Sequence, residues 1–198
     1  MTTQQPLSQA NRLAHRIAGI CLTYPDQDLV NSIPELKEAA HGHHRLTGFL
    51  DHVRCTPLME LAAHYTDVFD FKSRRSLYLS WWQDGDTRRR GASLVRFKQV
   101  YRSHKLEFTG AELPDFLPVV LDYTATVGNA DLLQEHRSGL ELLRLALADA
   151  QTPYAAVVEA VCATLPGPSP KDRAQALALA RSGPPREEVG LAPYGAAR

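Results

Sequence analysis

The sequence predicts an all-α, single-domain helical bundle, and three observations lead to that fold class. Apolar residues recur at every third or fourth position along most of the chain, which is typical of amphipathic helices. Strand and helix patterns do not alternate, and no glycine-rich phosphate loop is present. The chain has 198 residues, enough for one domain with a substantial core.

The first elements begin at residues that favour helix starts. Ser8 is expected to cap a helix that Pro25 stops. Thr56 and Pro57 predict another start, with the proline at the first helical position. The apolar faces of these two helices are Leu13, Ile17, Ile20 and Tyr24, and Leu58, Leu61, Ala62, Tyr65, Val68 and Phe69.

The second half of the chain repeats the helical pattern. The predicted faces are Leu94, Phe97, Val100 and Tyr101, then His136, Leu140, Leu143 and Leu147, then a helix from Pro153 to Val161 and an alanine-rich one from Lys171 to Arg181. Only "SLYLSWW" is a strand candidate, and "LPGPSPKD" is expected to be a loose linker. Residues 1–182 are therefore expected to form one all-helical domain, and residues 183–198 a flexible C-terminal tail.

Charge and composition limit the function classes. Lysine plus arginine equals aspartate plus glutamate, 22 each, whereas general nucleic-acid binders usually carry a basic excess. The three cysteines are scattered, which indicates a reducing compartment rather than a disulfide framework. The N-terminus lacks a secretory signal, and no apolar run could span a bilayer. We therefore expect a soluble, cytoplasmic protein.

Catalytic and metal-binding patterns are missing. His41, His43 and His44 form "HGHH", which is more typical of a surface turn between helices than of a metal site, since no cysteine or carboxylate has a matching ligand spacing. No serine lies in a nucleophile elbow. The sequence thus predicts a protein that is not an enzyme and has no metal site.

An elbow is predicted at "ELPDFLP", residues 112–118. Leu113 precedes a proline and is pushed away from helical angles. Pro118 would break a helix interior because it has no N–H. Both constraints are met if Asp115 is an N-cap and the second proline lies in the first turn. Glu112 then stays free to meet a cation. The elbow is either a plain connector or part of a site.

Both tryptophans, Trp81 and Trp82, stand beside an acidic turn in "SLYLSWWQDGDTRRRG". Adjacent helical residues point about 100° apart, so one apolar stripe rarely buries both side chains. We expect one of them to line a groove or an interface, where large aromatic side chains are favoured anchors.

The arginine triplet follows the same turn. Asp86 or Thr87 is expected to cap the next helix, which places the arginines in its first turn, against the helix dipole. Local helix stability therefore does not explain them, and they are expected to pair with nearby carboxylates or to face an acidic partner. The three residues are Arg88, Arg89 and Arg90.

The combination of "YTDVFDFKSRRSLYLSWWQDGDTRRRGASLVRFKQVYR" and "ELPDFLPVVLDY" resembles the NarJ-type nitrate reductase molybdenum cofactor assembly chaperones. These belong to the wider TorD/DmsD-like group of redox-enzyme maturation chaperones. The resemblance implies a TorD-like all-helical fold. It also implies binding of the N-terminal segment of the nitrate reductase catalytic (alpha) subunit, which is kept competent for molybdenum cofactor insertion and assembly.

The resemblance further implies which residues meet the client. Glu112 and Asp115 match an E-x-x-D-H type motif of the wider group, with Phe116 in place of the histidine. Tyr65 and Phe69 lie where that group has an aromatic helix. The predicted client-binding residues are Tyr65, Phe69, Tyr78, Trp81, Trp82, Arg88, Arg89, Arg90, Glu112, Leu113, Asp115, Phe116 and Leu117.

Partners and cofactors follow from the same resemblance. The chaperone is expected to bind no cofactor stably and to act on an apo-enzyme that receives a molybdopterin cofactor. Cofactor-biosynthesis proteins are further candidate partners, nucleic acid is not expected, and the membrane is approached only transiently through the client. The alternative is a helical regulatory or nucleic-acid adaptor that uses the basic patch at residues 88–90, and a steep loss of binding with salt would favour it.

Overall fold

The computed structural model describes residues 6–182, and over that range it contains eleven α-helices and no strand, which confirms the all-α prediction. No helix in this range is long and apolar enough to cross a membrane. The tail predicted at residues 183–198 lies outside the described residues. The helices are α1 (Gln9–Cys21), α2 (Gln27–Ala39), α3 (His44–Cys55), α4 (Leu58–Phe69), α5 (Trp81–Asp84), α6 (Arg89–Ser103), α7 (Leu117–Val127), α8 (Asp131–Glu135), α9 (Arg137–Asp149), α10 (Tyr154–Cys162) and α11 (Arg173–Ser182).

Helix α1 is central to the bundle and packs on α7, α10, α3 and α2. Ser8 caps it as predicted, because its hydroxyl accepts a hydrogen bond of 3.1 Å from the backbone N–H of Asn11. The close contact with α7 depends on Gly19, where a Cβ would lie 3.3 Å from the carbonyl oxygen of Pro118. The helix ends at Cys21, four residues before the predicted stop, so Tyr24 is not on its apolar face.

A buried histidine joins three helices. His15 of α1 is fully buried, and its two ring nitrogens lie 2.8 Å from the hydroxyls of Thr124 on α7 and Thr164 just after α10. Burial lowers the pKa of His15 to about 4. The imidazole is therefore neutral in the folded protein at physiological pH, and its hydrogen bonds link α1 to α7 and to the residues just after α10.

His41 and His43 lie in the turn between α2 and α3, as the sequence predicts, and His44 is the first residue of α3. Gly42 has a φ of +90°, a conformation that glycine adopts without a steric penalty. Within the described residues, no three His, Cys, Asp or Glu side chains come together as a metal-ligand cluster. The Thr56–Pro57 start is also observed, one residue later than expected, because Pro57 is the N-cap of α4 and the helix begins at Leu58.

Residues 165–172 are fastened to α9, which makes the loose-linker prediction wrong. Arg137 and Arg144 donate hydrogen bonds to backbone carbonyls of this loop. Both arginines also pair with the fully buried carboxylate of Glu141, which accepts a further hydrogen bond of 2.8 Å from the Ser169 hydroxyl. The loop is ordered because side chains of α9 satisfy its carbonyls.

Candidate functional site

The site is built where the segment before α5 meets the elbow before α7. The backbone N–H of Leu79 donates to the carbonyl of Asp115 at 3.0 Å, and the N–H of Leu117 donates to the carbonyl of Leu77 at 2.8 Å. These bonds form a single antiparallel bridge between Tyr78 and Phe116. The strand candidate "SLYLSWW" thus pairs only over this short stretch, after which the chain turns into α5.

Asp115 does not cap α7, so that prediction is wrong. The N-cap is Phe116, and no side chain makes a capping bond. The Asp115 carboxylate is fully buried and instead accepts from the backbone N–H of Ser80 at 3.1 Å and from the Ser80 hydroxyl at 2.5 Å. It therefore fixes the elbow to the segment before α5. Pro118 does lie in the first turn of α7, where its missing N–H costs nothing, as expected.

Arg90 extends this connection to the surface. Its Nη2 lies 3.9 Å from Oδ2 of Asp115, and the side chain is only 22 % exposed. The guanidinium carbon lies 5.5 Å from the ring centre of Tyr78 and 5.9 Å from that of Trp81, within the range of cation–π contacts. One arginine of the triplet thus positions two aromatic rings, while Arg88 and Arg89 are exposed.

The start of α6 differs from the prediction. Neither Asp86 nor Thr87 caps the helix; Arg88 is the N-cap residue, and its side chain makes no capping bond. The nearby carboxylate that does engage α6 is the buried Asp84, which accepts a hydrogen bond of 2.6 Å from the Ser93 hydroxyl. Asp84 therefore joins α5 to the second turn of α6.

An open groove of about 760 Å³ lies between α4, the segment before α5 and the elbow. We call it the aromatic groove; its aromatic lining consists of Tyr24, Tyr65, Phe69, Phe71, Tyr78, Trp81 and Phe116. The rings of Tyr65 and Phe69 pack in a tilted arrangement with 4.8 Å between their centres, and Tyr154 of α10 packs edge-on against both. The wall is therefore a preformed aromatic cluster.

Glu112 lies at the rim of the aromatic groove. Its carboxylate accepts a hydrogen bond of 2.9 Å from the phenol of Tyr78, not from the arginine triplet that the sequence suggested as a partner. Burial and this hydrogen bond raise the pKa of Tyr78 to about 12, so the phenol remains a donor at neutral pH. Glu112 itself is exposed and presents a carboxylate to anything that enters the groove.

The two tryptophans point to different places. Trp81 lines the aromatic groove, whereas Trp82 packs on α9 and donates a hydrogen bond of 3.0 Å from Nε1 to the carbonyl of Ser76. A Cβ at Gly139 would lie 2.6 Å from the Cβ of Trp82, so only glycine allows this contact. The divergence is the one expected for neighbours in a helical turn.

The structure brings six of the predicted site residues together in the aromatic groove: Tyr65, Phe69, Tyr78, Trp81, Glu112 and Phe116. Asp115 and Arg90 lie beside it as supports. The other predicted residues do not line it: Leu117 is fully buried in the core, and Leu113, Arg88, Arg89 and Trp82 face elsewhere. Tyr24 was not predicted as a groove residue, because the spacing in α1 assigned it to a helix face.

Comparisons with known proteins indicate the family of this chain. The family model described as nitrate reductase delta subunit matches residues 26–159, from just before α2 into α10. The nitrate reductase-like protein NarX of Mycobacterium tuberculosis (strain ATCC 25618 / H37Rv) is 38% identical over 152 residues, which cover 74% of this chain and 23% of NarX. The nitrate reductase molybdenum cofactor assembly chaperone NarJ of Escherichia coli (strain K12) is 29% identical over 126 residues, which cover 60% of this chain and 53% of NarJ.

A solved structure shares the fold. The crystal structure of a redox enzyme maturation protein from Archaeoglobus fulgidus aligns with a TM-score of 0.61 at 20% identity, covering 77% of this chain and 91% of that one. The chain spans about a quarter of NarX and about half of the Escherichia coli NarJ. The resemblance to NarJ-type proteins is confirmed, and because the family model matches more than half of the residues, the chain belongs to the nitrate reductase delta subunit family.

Proposed function

We propose that the chain is a system-specific chaperone for a respiratory nitrate reductase. It binds the N-terminal segment of the catalytic (alpha) subunit and keeps that subunit competent for molybdenum cofactor insertion and assembly. The proposal is carried by the preformed aromatic groove beside the elbow, in a family whose relatives include molybdenum cofactor assembly chaperones. The molybdopterin cofactor is cargo for the client, and the chaperone acts by binding, in the cytoplasm, without catalysis.

The groove suits a short amphipathic segment. Its volume lies within the usual range of binding clefts, and half of its lining residues carry large aromatic side chains. A helix laid in such a groove buries its apolar face against the rings, while a basic residue of the client can reach the Glu112 carboxylate at the rim. The aromatic rings then supply the affinity, and the Glu112 carboxylate favours a client segment that carries a basic residue.

The buried polar connection under the groove makes this wall rigid. Asp115 holds the elbow to Ser80, and Arg90 lies between that carboxylate and the rings of Tyr78 and Trp81. The aromatic side chains are thereby placed before any client arrives. A preformed wall lowers the entropic cost of ordering side chains when the client binds.

Calorimetry with a synthetic N-terminal peptide of the catalytic subunit tests the proposal. Binding should show a negative heat-capacity change, the mark of apolar burial, and a change in tryptophan fluorescence. Trp81→Ala should weaken binding by about 2 kcal/mol, a typical value for an aromatic anchor. Met59→Ala is the matched control, because Met59 is 85% exposed on α4 and outside the groove. Absence of heat and of a fluorescence change with the unaltered protein would refute the proposal.

The nucleic-acid alternative relied on the arginine triplet and is weakened, because Arg90 contacts Asp115 and two aromatic rings, so that Arg88 and Arg89 are the exposed members of the triplet. A salt titration separates the two functions. Binding to phosphates should weaken steeply as salt rises, whereas binding in the aromatic groove should change little.

A further inference from the structure

A second groove adjoins the first. It has a volume of about 460 Å³ and shares residues 71–73 with the aromatic groove, so the two are neighbours across one short segment. Trp82 and the α9 side chains Leu142, Leu145 and Ala146 line its apolar part. We call this second cleft the basic groove, because its charged lining has the opposite sign to the rim of its neighbour.

Four cations line the basic groove against one carboxylate, that of Asp149; the cations are Lys72, Arg74, Arg75 and Arg173. None of the four makes a side-chain hydrogen bond or an ion pair with the described part of the chain. The aromatic groove is different, since Asp70 and Glu112 line it, and among residues 6–182 its one lining cation is the shared Lys72. The two grooves thus form adjacent surfaces of opposite charge in a chain whose formal net charge is zero.

Phe71 lies on the boundary between the grooves. It lines both of them and is 73% exposed, although it is a large apolar side chain. A client segment that occupied only one groove would leave part of this ring in water. A segment that crossed the boundary would cover it, which adds apolar burial at the crossing point.

We propose that the basic groove binds an acidic, partly apolar stretch of the same client segment that the aromatic groove holds. This inference rests on the proposed function and adds a requirement for the client's sequence. The client needs an apolar, basic part for the aromatic groove and an acidic part next to it for the basic groove. Opposite charges on adjoining surfaces select one direction of the client, because the reversed peptide would place like charges together. Two linked contacts also raise the overall affinity over either one alone.

Site-specific photo-crosslinking tests where the client lies. p-Benzoylphenylalanine replaces Leu145 in the basic groove in one variant and Tyr24 in the aromatic groove in another, and each full-length variant is co-expressed with the nitrate reductase catalytic subunit. Both variants should cross-link to neighbouring parts of the same N-terminal segment, and the part attached at position 145 should contain carboxylates.

The outcomes separate the two proposals. If position 24 cross-links to the catalytic subunit and position 145 cross-links to nothing, to another protein or to residues 183–198 of this chain, the further inference is wrong and the proposed function stands. If neither position cross-links to the catalytic subunit, both are wrong.

Charge reversal gives an independent measurement with the synthetic client segment. Arg74→Glu and Arg173→Glu should each weaken binding by about tenfold at low salt, and the difference should shrink as salt screens the charges. Arg102→Glu is the control, because Arg102 is an exposed arginine of α6 outside both grooves. Equal affinities for the three variants at low salt would overturn the inference.

Discussion

Replacing Asp115 with alanine is expected to lower the free energy of unfolding by about 2–4 kcal/mol, well above the ~1 kcal/mol typical of a lost helix cap. The reason is the position of the carboxylate. It is fully buried and accepts two hydrogen bonds from Ser80, 35 residues away in sequence. Alanine removes the one oxygen, Oδ2, that accepts both bonds, and it leaves the buried N–H and hydroxyl of Ser80 without that acceptor.

Four effects set the magnitude, three of them costs and one an offset. A hydrogen bond to a charged group is worth about 1.5–3 kcal/mol, and an orphaned buried donor costs about 1–3 kcal/mol, so the two losses overlap rather than add. Arg90 also loses its attraction to Asp115, but at 3.9 Å and with part of the side chain in water this loss is small. Removal of the buried charge offsets part of the cost, because Oδ1 of the carboxylate has no hydrogen-bond partner within the described chain.

Urea unfolding measures this difference. Asp26→Ala is the matched control, because the Asp26 carboxylate is a true N-cap of α2 and accepts a hydrogen bond of 2.9 Å from the backbone N–H of Leu29. That change should cost about 1 kcal/mol. Asp115→Asn keeps the size and one acceptor oxygen, so it should fall between the unaltered protein and Asp115→Ala. If the two alanine variants unfold at the same urea concentration, the carboxylate does not hold the elbow and the reasoning is refuted.

Three further predictions concern other buried groups. Glu141→Ala should cost about 3–5 kcal/mol by calorimetric melting, because two largely buried arginines lose their shared carboxylate; a loss below ~1 kcal/mol would contradict this. Gly139→Ala should destabilise the protein by about 1–3 kcal/mol, because the new Cβ clashes with the Cβ of Trp82. Gly48→Ala has open space around it in α3 and should stabilise the protein by about 0.5–1 kcal/mol. If urea unfolding shows a stability change of the same sign for both variants, the packing argument is refuted. His15 has a folded pKa of about 4 against 6.5 unfolded, so its contribution is full above pH 6.5 and about 3 kcal/mol is lost as pH falls towards 4; His15→Gln should flatten that part of the stability curve.

The fold was predictable from the sequence because local signals specify it. Ser8, Pro57 and Pro118 each mark a helix start through backbone chemistry that needs no distant partner. The periodic apolar residues likewise predict which faces form the core, and most of them are buried. The placement of Tyr24 on the apolar face of α1 was wrong, because periodicity does not show where a helix stops and α1 ends before that residue.

The contacts that hold the site in place were not predictable from the sequence, because they join segments that are distant along the chain. Asp115 stands at a position where a helix cap is good local chemistry, but the segment around Ser80 supplies better donors in the folded chain. Arg90 is one of three adjacent arginines, and nothing in the triplet shows which of them turns inward. The basic groove is even harder to predict from the sequence, since its lining comes from residues 71–75, α9 and the start of α11.

The segment that carries both tryptophans now has a physical explanation. Because neighbouring side chains in a helical turn diverge, Trp81 forms part of the aromatic groove while Trp82 forms part of the basic groove. The segment thus separates two clefts of opposite charge, and it is held on one side by the Ser80–Asp115 hydrogen bonds and on the other by the close contact of Trp82 with Gly139. A change at either anchor should alter both clefts together, because moving one indole shifts the backbone that holds the other. Gly139→Ala, which lies outside the aromatic groove, should therefore weaken a client that binds there, and stability and client affinity should fall in parallel.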